Sequence, residues 1–294
     1  MATANLKMGY VGSVTIGGTS YFMTGSSLNP TQAVEAPDLV AGSIMRRGWV
    51  YGKVDPTGNV TGPLHEGATS LWSDAFNRTS DYDHLANTVE VEIYFYKGGG
   101  WKFTECVINN LNITATSGEV VTFTADFAGR TATQGAGNNS TEIACSKLIT
   151  WDRVVFDVSG VGGNRLDNMQ SINFTLNNNV QKLFAIQGGS VDDHDLYPVD
   201  LPCGVRELTG SISAYANGPI NGFLDDKIGA NKWGDYTYSQ SAKRVSFQVV
   251  GTGADIIDVT FDAIFSRPEG TAQTGPAIYT LNFTAVCEPN GETA

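Results

Sequence analysis

Apolar and polar residues alternate, with β-branched enrichment, over residues 89–96, 101–108, 111–115 and 119–127. The same two-residue period returns over 151–158, 171–176, 207–215, 244–250, 256–265 and 277–286. Successive side chains of a strand point to opposite faces, so this period predicts half-buried β-strands. Gly98-Gly99-Gly100, Ser117-Gly118, the stretch 160–164 and Asn177-Asn178-Asn179 supply turns between them. Helical spacing is rare. Residues 63–77 place Leu64, Ala68, Leu71, Trp72, Ala75 and Phe76 on one stripe, behind a Pro63 suited to a first helical turn. Residues 223–233 form a weaker stripe, interrupted by Gly229. The pattern predicts an all-β fold with one short helix per half.

The halves match in order. Val14-Thr15-Ile16 aligns with Phe174-Thr175-Leu176, Arg46 with Arg206, and Gly62 and Leu64 with Gly222 and Leu224, each at an offset of 160 (174 − 14). Pro37 aligns with Pro198 and Trp72 with Trp233 at 161. Beyond the helix Val91, Ile93 and Phe95 align with Val245, Phe247 and Val249 at 154, followed by Phe103, Val107 and Leu111 with Ile257, Phe261 and Phe265. Val121, Phe123 and Ala125 align with Tyr279, Leu281 and Phe283 at 158. Offsets change only across loops, where insertions are tolerated. The expected organisation is therefore two tandem domains, 1–130 and 148–294, joined by a Gly- and Asn-rich linker at 131–147. Residues 151–158 read as an extra strand opening the second copy.

Charge narrows the function. The chain carries 18 basic and 30 acidic residues, a formal net charge of −12. No run of Lys or Arg occurs, which argues against tight nucleic-acid binding, since that rests on cationic contacts to phosphate. No secretory leader or apolar stretch of about 20 residues is visible, so a soluble protein made in the cytosol is expected. Cys106, Cys145, Cys203 and Cys287 have no CxxC spacing and read as unpaired thiols.

Candidate chemistry is sparse. His65 and His84 flank the first helix at no ligand spacing and read as solvent-facing. Asp192-Asp193-His194-Asp195 could offer donors to a divalent ion, but it lacks a Ca²⁺-loop signature and reads as an acidic loop tip. Asp225-Asp226 sits where carboxylates favour a helix dipole. No nucleophile, P-loop or zinc-protease motif is present, and no catalytic residue, metal site or cofactor is expected.

Residues 171–176 followed by three asparagines, a long loop with Pro198 and Pro202, and then Gly204-Val205-Arg206-Glu207-Leu208-Thr209-Gly210-Ser211-Ile212 resemble tail tube proteins of long-tailed bacteriophages. Residues 106–113 and 120–129 resemble the hairpin that precedes this segment in that family. The resemblance implies β-barrel or sandwich domains, each with a short flanking helix, that join edge to edge into rings. Stacked rings would form a tube through which DNA passes without specific binding. It implies a virion tail protein assembled in the host bacterial cytoplasm, with itself and other tail proteins as partners and no membrane. On this reading the loops carrying Pro37 and Asp192, Asp193, Asp195 and Pro198 stack rings, Arg46 and Arg206 pair between subunits, and three chains are preferred to six per ring. A carbohydrate-binding, adhesin-like β-sandwich is the alternative, with Trp49, Tyr51, Tyr236 and Tyr238 as binding aromatics; a β-rich glycoside hydrolase ranks third.

Overall fold

The computed structural model describes residues 12–26, 29–35, 50–76, 88–95, 99–134, 147–158, 169–185, 196–215, 242–266, 269–271 and 278–286. Among the described residues sixteen strands join into one open antiparallel sheet. They are β1 (Gly12–Ile16), β2 (Thr19–Phe22), β3 (Gly25–Ser26), β4 (Asn29–Glu35), β5 (Val50–Pro63), β6 (Val89–Phe95), β7 (Gly99–Thr116), β8 (Thr122–Ala128) and β9 (Thr131–Gln134). The chain continues through β10 (Val154–Val158), β11 (Met169–Asn177), β12 (Glu207–Tyr215), β13 (Lys243–Val250), β14 (Asp255–Phe265), β15 (Glu269–Thr271) and β16 (Ile278–Ala285). One helix, α1 (Ser70–Phe76), is described. The candidate helix at 223–233 lies outside the described residues.

Two series of strands share one order. In the first, β4 pairs with β5, β5 with β8, β8 with β7, β7 with β6, and β6 with β1. In the second, β11 pairs with β12, β12 with β16, β16 with β14, β14 with β13, and β13 with β10. The pairing makes β10 the counterpart of β1, so the strand at 154–158 is not an extra one. The counterpart of β11 is the β3–β4 strand rather than Val14–Ile16. Likewise Gly62 answers to Gly210 and not Gly222: Gly62 faces Phe123 and Gly210 faces Phe283 across equivalent strand pairs. Both positions exclude a side chain. A Cβ on Gly62 would lie 2.0 Å from the Phe22 carbonyl oxygen, and one on Gly210 would lie 2.4 Å from that of Asn173.

Several elements differ from their sequence boundaries. Residues 101–108 and 111–115 belong to one long strand, β7, because Asn109-Asn110 continues the ladder instead of turning it. That strand is irregular near Glu105, whose φ is +52°. Up to Cys106 β7 pairs with β6, and through Thr104 with β9; from Val107 it pairs with β8 and from Asn110 with β11. Residues 131–134 of the expected linker form β9, in register with β8 along β7. Trp151–Arg153 is a 3-10 turn leading into β10. α1 starts later than Pro63, which closes β5, because the backbone just after it is held extended: the Leu64 N–H donates to the Val121 carbonyl at 2.8 Å. The predicted stripe is nonetheless inward, with Leu64, Ala68, Leu71, Trp72 and Ala75 buried.

Both series contribute to one apolar core. Phe174 of β11 stands at its aromatic centre, stacked on Phe247 at 4.3 Å between ring centroids. Phe261 lies at 5.9 Å, Phe283 at 6.3 Å and Trp72 at 5.6 Å. Trp72 comes from α1, so the first half's helix packs on the second half's core. Full burial of such side chains stabilises by about 1.5–3 kcal/mol each, which makes this shared cluster a substantial tie between the halves.

Candidate functional site: the β7–β11 junction and its polar face

The two strand series meet where the second half of β7 pairs with β11, from Ser171 opposite Thr116 to Asn177 opposite Asn110. Both segments alternate strictly, Asn-Leu-Asn-Ile-Thr-Ala-Thr against Ser-Ile-Asn-Phe-Thr-Leu-Asn. Leu111, Ile113 and Ala115 point to the core with Ile172, Phe174 and Leu176. The other face is a hydrogen-bonded ladder. The Asn112 amide donates to Asn173 Oδ1 at 2.9 Å and to Thr175 Oγ1 at 2.7 Å, and the Thr114 hydroxyl donates to Asn112 Oδ1 at 2.9 Å. Apolar contact on one side and amide bonding on the other fix the register, since a one-residue slip would invert both faces.

This polar face extends in both directions. Thr61 and Thr124 share a hydrogen bond at 3.0 Å across β5 and β8, and Ser213 and Thr280 share one at 3.3 Å across β12 and β16. Over residues 57–61, 122–126, 110–116, 171–177, 207–213 and 280–284 the side chains turned away from the core are Ser, Thr and Asn, with Asp126 and Glu207. No Lys or Arg stands among them. Asp126 accepts from the Asn110 amide at 3.3 Å.

α1 locks the junction from the core side. Its last carbonyls have no helical partner and must be satisfied elsewhere. Buried Asn178, just after β11, donates to the carbonyls of Ala75 at 2.8 Å and Ile108 at 2.7 Å. Arg206, just before β12, donates to the Phe76 carbonyl at 2.7 Å and to Asn178 Oδ1 at 3.0 Å, with its guanidinium 4.0 Å from the Phe76 ring centroid. A cation at a helix C-terminus also complements the dipole. These Arg206 contacts join the two series within one chain. Asn178 carried no functional signal in the sequence, where the asparagine run reads as a turn.

Between β11 and β12 the described residues 178–185 and 196–206 form an arm, laddered through bridges between Val180 and Cys203 and between Leu183 and Asp200. Pro198 is buried beyond these bridges, where its carbonyl accepts from Arg130 Nε at 3.2 Å. Lys182 pairs with Asp55 and Lys53 lies 4.8 Å from the Phe184 ring centroid, so the arm lies against β5. Leu183, Phe184 and Val205 leave apolar surface exposed on this arm, Val205 at 81%. Pro37, Arg46, Asp192, Asp193 and Asp195 lie outside the described residues, as do His84, Asp225 and Asp226.

A sequence profile for the phage tail tube protein matches residues 3–285. The chain belongs to the phage tail tube protein family. No curated protein matches it. As a tail tube protein it is a structural component of the virion tail, and its all-β architecture is that of the sheet described above. Among the described residues no helix is long and apolar enough to cross a membrane.

His65 corrects the expectation of a solvent-facing residue, since only 4% of it is exposed. Its Nδ1 accepts from the Gly67 N–H at 3.0 Å, so Nε2 carries the proton and donates to the Ser20 carbonyl at 2.9 Å. Its ring packs 5.2 Å from Tyr21. Burial lowers its pKa below the ordinary value, with the Ser20 carbonyl opposing and Lys147 adding to the shift. The unfolded chain therefore takes up the proton first, and stability present above pH ~6.5 is lost as pH falls through the lowered folded value. Thermal melts between pH 7 and pH 5 should show this loss, and His65→Gln should shallow the dependence; an unchanged slope would contradict the assignment.

Proposed function

We propose that the protein polymerises into stacked rings forming the tail tube, a conduit for DNA ejection, without catalysis or cofactor. The observation that carries this reading is the β7–β11 junction, where two like strand series already join edge to edge. The repeated strand order supports two tube domains per chain, with the first series reaching β9 and the boundary after Gln134. Assembly takes place in the host cytoplasm, and other tail proteins meet the tube at its ends.

The polar face is assigned to the bore. α1 and the buried side chains lie on the opposite side of this stretch, so curving the sheet into a ring is easier with the thick side outward. Over these stretches a bore of Ser, Thr and Asn, with Asp126 and Glu207, offers phosphates no cation, and the net charge of −12 opposes adhesion of DNA. Eight strand positions span the chain: β3–β4, β5, β8, β7, β11, β12, β16 and β14–β15. Three chains of eight strands give 24, and at ~4.8 Å per strand with a typical tilt such a ring is roughly 40–50 Å across between backbones. Six chains would double that width. Each chain carries two like strand series, so three chains supply six; the preferred ring is a trimer with pseudo-sixfold symmetry, and native mass spectrometry of isolated rings should give three chains. A mass of six chains would overturn that stoichiometry.

Stacking is assigned to the loops that carry Asp192, Asp193, Asp195 and Pro198 in the second series and Pro37 in the first. Support comes from the apolar surface left exposed at Leu183, Phe184 and Val205. Val205→Glu is expected to give folded rings of normal mass that fail to elongate; tubes of ordinary length in electron micrographs would refute the assignment. Arg46 is assigned to pairing between chains, while Arg206 ties one series to the other.

A further inference from the structure

The internal junction specifies which edges remain for a second copy of the chain. β11 has β12 on one edge and β7 on the other. Its counterpart, β3–β4, has β5 on one edge, in a single register from Gly25 opposite Thr61 to Asn29 opposite Thr57. Among the described residues no strand lies on its other edge. The partner strand tells the same story. On β7, pairing with β6 stops at Cys106, and the strand runs on to receive β11 along residues 110–116. On β14, pairing with β13 stops at Ala263, and beyond Phe265 the ladder on β16 is taken up by β15. Beyond Ala263 no described strand takes the edge that faces away from β16.

We propose that β3–β4 of one copy pairs antiparallel with the extension of β14 through β15 in the next, repeating between chains the β11–β7 junction made within each chain. The occupant of each edge is a second copy because the chain already shows the matching strand in the matching place. Exposed strand edges extend a sheet between chains readily. The two edges differ, so the contact is head-to-tail, and such contacts close into rings when the rotation allows. The polar and core faces then run uninterrupted around the ring. This inference rests on the tube reading and adds the identity of the strands.

Gly25→Pro tests it. The carbonyl of Thr61, the residue opposite Gly25, is taken by the Thr24 N–H, so the Gly25 N–H is assigned to the proposed neighbour. A Cβ at Gly25 meets nothing within 4 Å. Proline there removes an outward donor and leaves the β5 ladder intact. The variant is expected to keep its circular dichroism spectrum and to lose ring assembly by at least about tenfold in critical concentration, a change of ~1.4 kcal/mol. Rings forming at the unaltered concentration would overturn the assignment. A second measurement leaves the backbone untouched: p-benzoylphenylalanine in place of Glu269 should photo-cross-link to residues 25–35 of another chain. Cross-links elsewhere in assembled rings would overturn the strand assignment and leave the tube reading standing. An unaltered chain that forms no rings would remove both.

Discussion

Phe174→Ala is expected to destabilise the protein by about 3–5 kcal/mol, the range for removing a buried aromatic from a packed core. The residue is fully buried and its ring meets Trp72, Phe247, Phe261 and Phe283. These neighbours come from α1 and from three strands of the second series, so no single element can move in to fill the space. Domain stabilities of about 5–15 kcal/mol make this a large fraction of the total. Denaturant titration should show a lowered midpoint, and Phe174→Leu should recover part of the loss. A shift below about 1 kcal/mol for the alanine variant would mean that the two halves do not share this core.

The second large effect is expected at Asn178. Asn178→Ala strands the carbonyls of Ala75 and Ile108 and removes the acceptor of Arg206 Nε. Leaving a buried polar group unsatisfied costs about 1–3 kcal/mol, and more where a charged group loses its partner, so a total of about 3 kcal/mol or more is expected. Asn178→Asp separates bonding from volume. It keeps an acceptor for Arg206 but sets an oxygen against two carbonyls, and it should be no better than alanine. Proteolysis near α1 should accelerate in both variants. Equal stability of Asn178→Asp and the unaltered chain would contradict the role of the two amide bonds.

The sequence disclosed the strands more readily than their partners. The alternation of 110–116 and 171–177 names the faces of both junction strands, and those residues carried the family resemblance. Period two contains no information about which strand lies alongside, however. Val14-Thr15-Ile16 and Phe174-Thr175-Leu176 share a local pattern, yet one belongs beside β6 and the other beside β7 and β12. β5 was harder to read because Gly52, Pro56, Gly58 and Gly62 interrupt its pattern; pairing with β4 and β8 holds it extended. β6, β7 and β8 hold the places in their series that β13, β14 and β16 hold in theirs, as the sequence match paired them.

The junction's supports were less legible for a physical reason. Asn178 and Arg206 act on carbonyls of α1, about a hundred or more residues upstream, and a sequence gives no sign of which helix end will need them. His65 read as a surface residue because its burial depends on Tyr21 and the Ser20 carbonyl, contacts that local polarity cannot indicate. The polar face without Lys or Arg reads clearly once the strands are aligned. The acidic residues that dominate the composition are scarce on it, with Asp126 and Glu207 as its carboxylates over the stretch that spans the junction.

Electron microscopy of the purified, unaltered chain across a range of protein concentrations tests the assembly most directly. Hollow tubes of uniform width, built from stacked rings, are the predicted result. A protein that stays folded and monomeric at every concentration, with neither rings nor tubes, would contradict it.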